Sequence, residues 1–94
     1  MISKDFSIAV FPGDGIGKEI TEQALKVLNF LSEKSDINLR LDEGSVGGTA
    51  YDTHGTPLPP ESLDLALKSN AVLLGAVGGP KWESLDYAVR PERA

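Results

Sequence analysis

The pentapeptide Gly13-Asp14-Gly15-Ile16-Gly17 holds the first chemical possibility in the sequence. Where a strand gives way to a helix, closely spaced glycines leave backbone N–H groups able to face a phosphate or another anion, and the helix dipole adds to the attraction. A dinucleotide fingerprint of the Gly-x-Gly-x-x-Gly type beginning at Gly13 requires glycine at position 18, where the sequence has Lys18. A lysine there also crowds the point at which a third glycine lets helix and strand pack closely. Asp42 and Glu43 stand where a ribose-binding acid would fall, but the glycine spacing argues against a Rossmann unit. The plainer reading of the same residues is a tight strand–helix turn in which Asp14 helps to cap the helix.

Gly78-Gly79-Pro80-Lys81-Trp82 is the second such segment. Two glycines after a buried strand let the backbone bend and come close to a ligand. In open α/β sheets ligands bind beyond the carboxyl ends of the strands, so segments 12–17 and 78–82 are expected at one edge. The competing reading has Trp82 covering the sheet end and Lys81 solvated. His54 lies in the polar stretch Asp52-Thr53-His54-Gly55, without a second histidine or any cysteine to share a metal. It reads as a solvated loop residue. No Gly-x-Ser-x-Gly elbow supports a serine hydrolase, and no pair of carboxylates stands out for acid–base work.

These segments need elements to place them. Residues 6–11 form a short run rich in β-branched and aromatic side chains, ended by Pro12-Gly13, and predict a buried strand. Ile16, Ile20, Ala24, Val27, Leu28 and Leu31 recur at steps of three and four and predict the core-facing stripe of a helix ending near Lys34. Residues 37–42 alternate apolar and polar, as in a half-exposed strand at a sheet edge. Residues 43–60 read as a long loop with one helical turn near Thr49–Tyr51. A second helix opens at Pro60 with Glu61 and Asp64 near its positive end, and stops at Asn70. Residues 71–77 are the most apolar run, and predict a central parallel strand covered on both faces. Strand–helix–strand–helix–strand predicts an α/β unit.

Composition bounds the partners. Fourteen acidic residues against nine basic ones give a charge of −5, which argues against nucleic acid or an anionic membrane surface. No apolar run approaches the roughly 20 residues that span a bilayer, and none near the start resembles a secretion signal. Without cysteine there is no disulfide, thiolate zinc site or iron–sulfur cluster. A cytoplasmic protein is expected. Three strands with two helices leave the 71–77 strand short of cover, so residues 1–94 are expected to be the front part of a larger protein.

Three segments together carry a family resemblance: Ala9-Val10-Phe11-Pro12-Gly13-Asp14-Gly15-Ile16-Gly17, Val46-Gly47-Gly48-Thr49-Ala50-Tyr51-Asp52 with His54-Gly55, and Leu74-Gly75-Ala76-Val77-Gly78-Gly79-Pro80-Lys81-Trp82 followed by Arg90-Pro91-Glu92. Over essentially its whole length the chain resembles the N-terminal segment of the β-decarboxylating dehydrogenases. The first segment marks the superfamily, and Val77-Gly78-Gly79-Pro80-Lys81-Trp82 points to its isopropylmalate branch. Lys18 departs from the family's usual proline, which touches only the first helical turn.

The resemblance implies an α/β sheet of the isopropylmalate/isocitrate dehydrogenase type rather than a Rossmann fold, with residues 1–94 forming the N-terminal part of the first, cofactor-binding domain. It implies NAD-dependent oxidation of (2R,3S)-3-isopropylmalate and decarboxylation to 2-oxoisocaproate in leucine biosynthesis, with Mg²⁺ or Mn²⁺, by a cytoplasmic homodimer. The cofactor-binding residues it implies are Ile16 near the adenine end, and Gly79, Pro80, Lys81, Trp82, Glu83, Ser84, Leu85, Asp86, Tyr87, Ala88, Val89, Arg90, Pro91 and Glu92, with Glu92 near the nicotinamide ribose. The family's catalytic tyrosine and lysine, substrate arginines and metal-binding aspartates have no counterparts in these 94 residues, so the segment alone is expected to be inactive. Two other readings are a stand-alone nucleotide- or anion-binding module built on Gly13–Gly17, and a structural piece that complements a separate chain.

Overall fold

The computed structural model describes residues 4–94. Strand β1 (Lys4–Gly13) lies in the middle of a three-stranded parallel sheet, between β2 (Ile37–Glu43) and β3 (Ala71–Ala76). Helix α1 (Ile16–Lys34) joins β1 to β2, while α2 (Gly47–His54) and α3 (Pro60–Lys68) lie between β2 and β3. The chain leaves β1 first to one side and then to the other. Parallel crossovers of one hand then place α1 on one face of the sheet and α2–α3 on the opposite face. Side chains alternate along β1, so Ala9 and Phe11 meet α2 and α3 while Val10 turns the other way. All three are at most 4% exposed. With Val46, Leu58, Leu65, Ala66 and Val77 around Ala9 and Phe11, they form the core.

The run at 71–77 does not form a central strand. β3 is an edge strand here, and Val72 and Leu74 remain 51% and 55% exposed. Central position belongs to β1, the only strand of the described residues paired on both sides. The apolar content of β3 reports the contacts its side chains suit, and these 94 residues do not supply them all. Its start is fixed by Asn70, whose side-chain oxygen accepts the Ser7 N–H at 2.8 Å while the Asn70 N–H donates to the Ser7 carbonyl, also at 2.8 Å. β2 is the half-exposed edge strand that its alternation predicts.

Helix α1 has the predicted span but a different buried face. Its closest approach to the sheet is through Gly17 and Thr21, the two buried residues of the helix, and through half-buried Ala24 and Leu28. A Cβ on Gly17 would run into the Pro12 carbonyl and the Ala76 backbone, so only glycine allows this contact. Small residues bring the helix axis in; of the predicted stripe Ala24 and Leu28 are half-buried, and the other large residues are turned out. Ile16, Ile20, Val27 and Leu31 are 48–60% exposed. The molecule is correspondingly extended, with a radius of gyration of 14.7 Å, against about 12 Å for a compact domain of this length.

The stretch expected to be mostly loop contains two full turns of helix in α2. Beyond β3, residues 80–94 form three successive 3₁₀ turns, Pro80–Trp82, Tyr87–Val89 and Pro91–Arg93. The last is pinned by Pro91, one of the largest fully buried side chains.

Candidate functional site

Asp14 is the polar centre of the sheet's carboxyl edge. It is 2% exposed and every oxygen lone-pair direction that matters is occupied. Oδ2 accepts the Gly48 N–H at 2.7 Å and the Gly78 N–H at 2.9 Å. Oδ1 accepts the Thr49 N–H and the Thr49 hydroxyl, each at 2.7 Å. Its own N–H donates to the Ala76 carbonyl at 2.7 Å. Burial opposes the charge, but the amides of Gly78, Thr49 and Gly48 and the Thr49 hydroxyl outweigh it and hold the carboxyl below the ordinary aspartate range.

The predicted cap on α1 is therefore a cap on α2. Helix α1 begins at Gly15 without any side-chain cap, whereas Asp14 takes the first free N–H groups of α2 from 34 residues away. The residue preceding α2 is Val46, which has no side-chain acceptor to offer. That missing local cap is the one sequence signal for a distant acceptor. The Gly13–Gly17 turn, for its part, is closed on itself. The N–H groups of Gly17 and Lys18 donate to the carbonyls of Asp14 and Gly15, at 2.8 and 3.3 Å. Its glycines at 13 and 17 allow contact with Ala76 of β3.

A second carboxylate, Asp52, sits on α2 and receives the segment after β3. Lys81 Nζ lies 2.7 Å from Asp52 Oδ2, and the Trp82 indole N–H donates to Oδ1 at 3.2 Å. The hydrogen bond from Lys81, then that from Trp82, lowers the Asp52 pKa from its ordinary value. The indole covers Gly48, where any Cβ would collide with the ring. Lys81 is thus paired rather than freely solvated, and Trp82 covers the start of α2. Asp52 was not among the residues that the sequence singled out for chemistry, because its partners lie 29 and 30 positions away.

Of the expected cofactor residues, Gly79, Trp82, Glu83, Arg90, Pro91 and Glu92 line one polar hollow of about 200 Å³. Arg90 Nε donates to the Leu85 carbonyl at 2.9 Å, which closes residues 85–90 into a loop around it. Arg93 lies 4.8 Å from the Tyr87 ring centroid. Pro80, Lys81, Ser84, Leu85, Asp86, Tyr87, Ala88 and Val89 do not line the hollow. Ile16 opens α1 at the same sheet edge and is 60% exposed. The hollow is lined by the Arg90 guanidinium and the Glu83 and Glu92 carboxylates, a donor and acceptor set suited to hydroxyl and amide groups of a small ligand. Metal ligation is another matter: among the described residues no three His, Asp or Glu side chains converge on a point that could hold an ion. His54 sits at the end of α2, with Nε2 3.0 Å from Glu61 Oε1 and Nδ1 2.8 Å from the Thr53 hydroxyl. No described helix is long and apolar enough to cross a membrane.

A family model described as isocitrate/isopropylmalate dehydrogenase matches residues 7–94. The chain is 56% identical over 86 residues to a protein named 3-isopropylmalate dehydrogenase from Methylococcus capsulatus, covering 92% of this chain and 24% of that one. It is 52% identical over 91 residues to the protein of that name from Clostridium pasteurianum, covering 97% of this chain and 26% of the relative. Among solved structures it is similar to a β-decarboxylating dehydrogenase from Thermococcus kodakarensis in its apo form, with a TM-score of 0.67 and 33% identity over 80% of this chain and 21% of the other. An isocitrate dehydrogenase from Methylococcus capsulatus gives a TM-score of 0.61 at 32% identity, over 84% of this chain and 23% of that one. The chain spans about a quarter of the length of the curated relatives it matches.

Proposed function

Since the chain belongs to the isocitrate/isopropylmalate dehydrogenase family, we propose that it is the N-terminal part of the first domain of an enzyme that oxidises (2R,3S)-3-isopropylmalate with NAD and releases CO₂ to give 2-oxoisocaproate, a step of leucine biosynthesis. The observation that carries this reading is 56% identity to a 3-isopropylmalate dehydrogenase across 92% of the chain. NAD supplies the hydride acceptor for the hydroxyl-bearing carbon. The role of this chain's residues is binding and orientation. The hollow between Gly79 and Glu92 receives the nicotinamide-ribose end, with Glu92 accepting from ribose hydroxyls and Arg90 holding the loop closed. Ile16 offers an apolar side chain toward the adenine end.

A divalent metal, Mg²⁺ or Mn²⁺ in this reading, has no ligand set among the described residues. The proposed enzyme is a cytoplasmic homodimer, and the 94 residues alone do not turn over. A chimera tests the proposal. Residues 7–94 replace the matching segment of the Methylococcus capsulatus 3-isopropylmalate dehydrogenase, and NADH formation is followed with 3-isopropylmalate and Mg²⁺. Turnover by the chimera and none by the isolated chain is the expected result. A folded chimera without turnover, or turnover by the chain alone, overturns it.

A further inference from the structure

We infer that Asp52 is a positioning residue for the cofactor segment: from α2 it grips Lys81 and Trp82 together and so sets where residues 83–92 begin. The inference rests on the reading of residues 79–92 as the cofactor segment and names a residue outside that segment on which its placement depends.

Each Asp52 oxygen serves a different side chain. Oδ2 faces the Lys81 ammonium at 2.7 Å and Oδ1 accepts from the Trp82 indole at 3.2 Å. The Lys81 ammonium also lies 5.5 Å from the indole centroid, so carboxylate, ammonium and ring form one closed group. Two bonds to two neighbouring residues fix both the position and the rotation of the Pro80–Trp82 turn, which a single ion pair would not. The indole, held this way, rests on Gly48. Upstream of the turn, Asp14 holds the Gly78 N–H at 2.9 Å. The turn is thus anchored to α2 at both ends, through Gly48 and Gly78 on Asp14 and through Lys81 and Trp82 on Asp52. Trp82 and Glu83 then enter the polar hollow directly. The Asp52 and Lys81 side chains are 37% and 69% exposed, so the pair adds little to folding stability. Its effect falls on the geometry of the loop.

Trp82 is the single tryptophan of the chain and reports on the grip. In the 94-residue chain, Asp52→Ala red-shifts Trp82 emission and raises its quenching by acrylamide, with far-UV circular dichroism unchanged. Asp52→Asn, which keeps an oxygen for the indole but loses the charge, gives a smaller change. In the chimera, Asp52→Ala raises KM for NAD roughly threefold to tenfold, the scale of one exposed ion pair plus one indole hydrogen bond. KM for 3-isopropylmalate and kcat stay within about twofold, and Asp52→Asn recovers part of the loss. Unchanged Trp82 quenching in Asp52→Ala refutes the grip. A loosened Trp82 with unchanged KM for NAD refutes its use in cofactor placement, and so does an equal fall in every kinetic parameter. A parent chimera that folds without turnover removes the reading of the site, and this inference with it.

Discussion

The carboxyl edge of the sheet and the outer arc of α1 are built on opposite terms. At the edge, a buried carboxylate meets four donors from two distant segments, and glycines let backbones touch. On α1, Ile20, Val27, Phe30 and Leu31 stand at 48–59% exposure, with the Lys34 ammonium 6.0 Å from the Phe30 ring centroid. The first region is complete within 94 residues. The second has the chemistry of a packed surface without its partner. Precision in this segment is therefore concentrated where loops meet the candidate cofactor hollow, while α1 leaves Ile20, Val27, Phe30 and Leu31 about half exposed.

Breaking the edge gives the largest effect. Asp14→Asn replaces an acceptor-only group by one that brings an N–H₂ toward the amides of Gly48, Thr49 or Gly78. At least one buried N–H then loses its partner, and the charge-assisted bonds are lost. A cost of about 3 kcal/mol is expected, a large part of what a domain of this size has. Urea unfolding followed by circular dichroism reads it directly. A loss below about 0.5 kcal/mol, the scale of an ordinary surface change, would show that the knot is decorative.

The same carboxylate sets the acid limb. Its pKa is lowered in the folded state because the hydrogen bonds from Gly78, Thr49 and Gly48 outweigh the opposing burial. A lowered value means that the unfolded chain binds the proton more readily. The stabilisation is thus fully present above the unfolded value of about 3.9 and is lost as pH falls through the folded value. Unfolding midpoints measured from pH 6 down to pH 2 should drop below about pH 4 in the native chain. In Asp14→Asn that drop is shallower. Identical slopes in the two proteins would assign the acid sensitivity to other carboxylates.

How far these regions could be read from sequence follows the range of the forces that make them. The spans of β1, β2, α1 and α3 follow local period and turn chemistry, and the structure keeps them within a few residues. The position of β3 and the buried arc of α1 depend on what packs against them, and periodicity does not record whether that material is present. For α1 the misleading signal is physical. Closest approach is made by Gly17, Thr21 and Ala24 because they are small, whereas a hydrophobic pattern weights the large residues beside them. Helix α2 was hidden by its two leading glycines, poor helix formers whose cost is offset by an acceptor 34 residues upstream. At the site, residues 78–82 were legible as a glycine-bearing turn at the carboxyl edge of the sheet. Their bonds to Asp52 were not, since no local spacing links positions 52, 81 and 82.

The smallest expected effect separates the two regions most cleanly. Ile20, Val27 and Leu31 lie on the arc of α1 that faces away from the sheet, and each already has about half its surface in water. Replacing all three by glutamine removes little burial and puts a residue of equal or better helix propensity at the two β-branched positions. In the isolated chain the triple substitution should shift stability by no more than about 0.5 kcal/mol, measured by the same urea titration. In the chimera, whose chain is about four times as long, additional elements are available to cover that arc. There the same three substitutions should cost about 2 kcal/mol or more, the scale of losing buried aliphatic side chains to polar ones. The prediction is a difference between contexts, which makes it hard to satisfy by accident. Equal small effects in both would mean that the arc is solvent-facing by design. Equal large effects would mean that it already packs within the 94 residues, against the exposure the structure gives it.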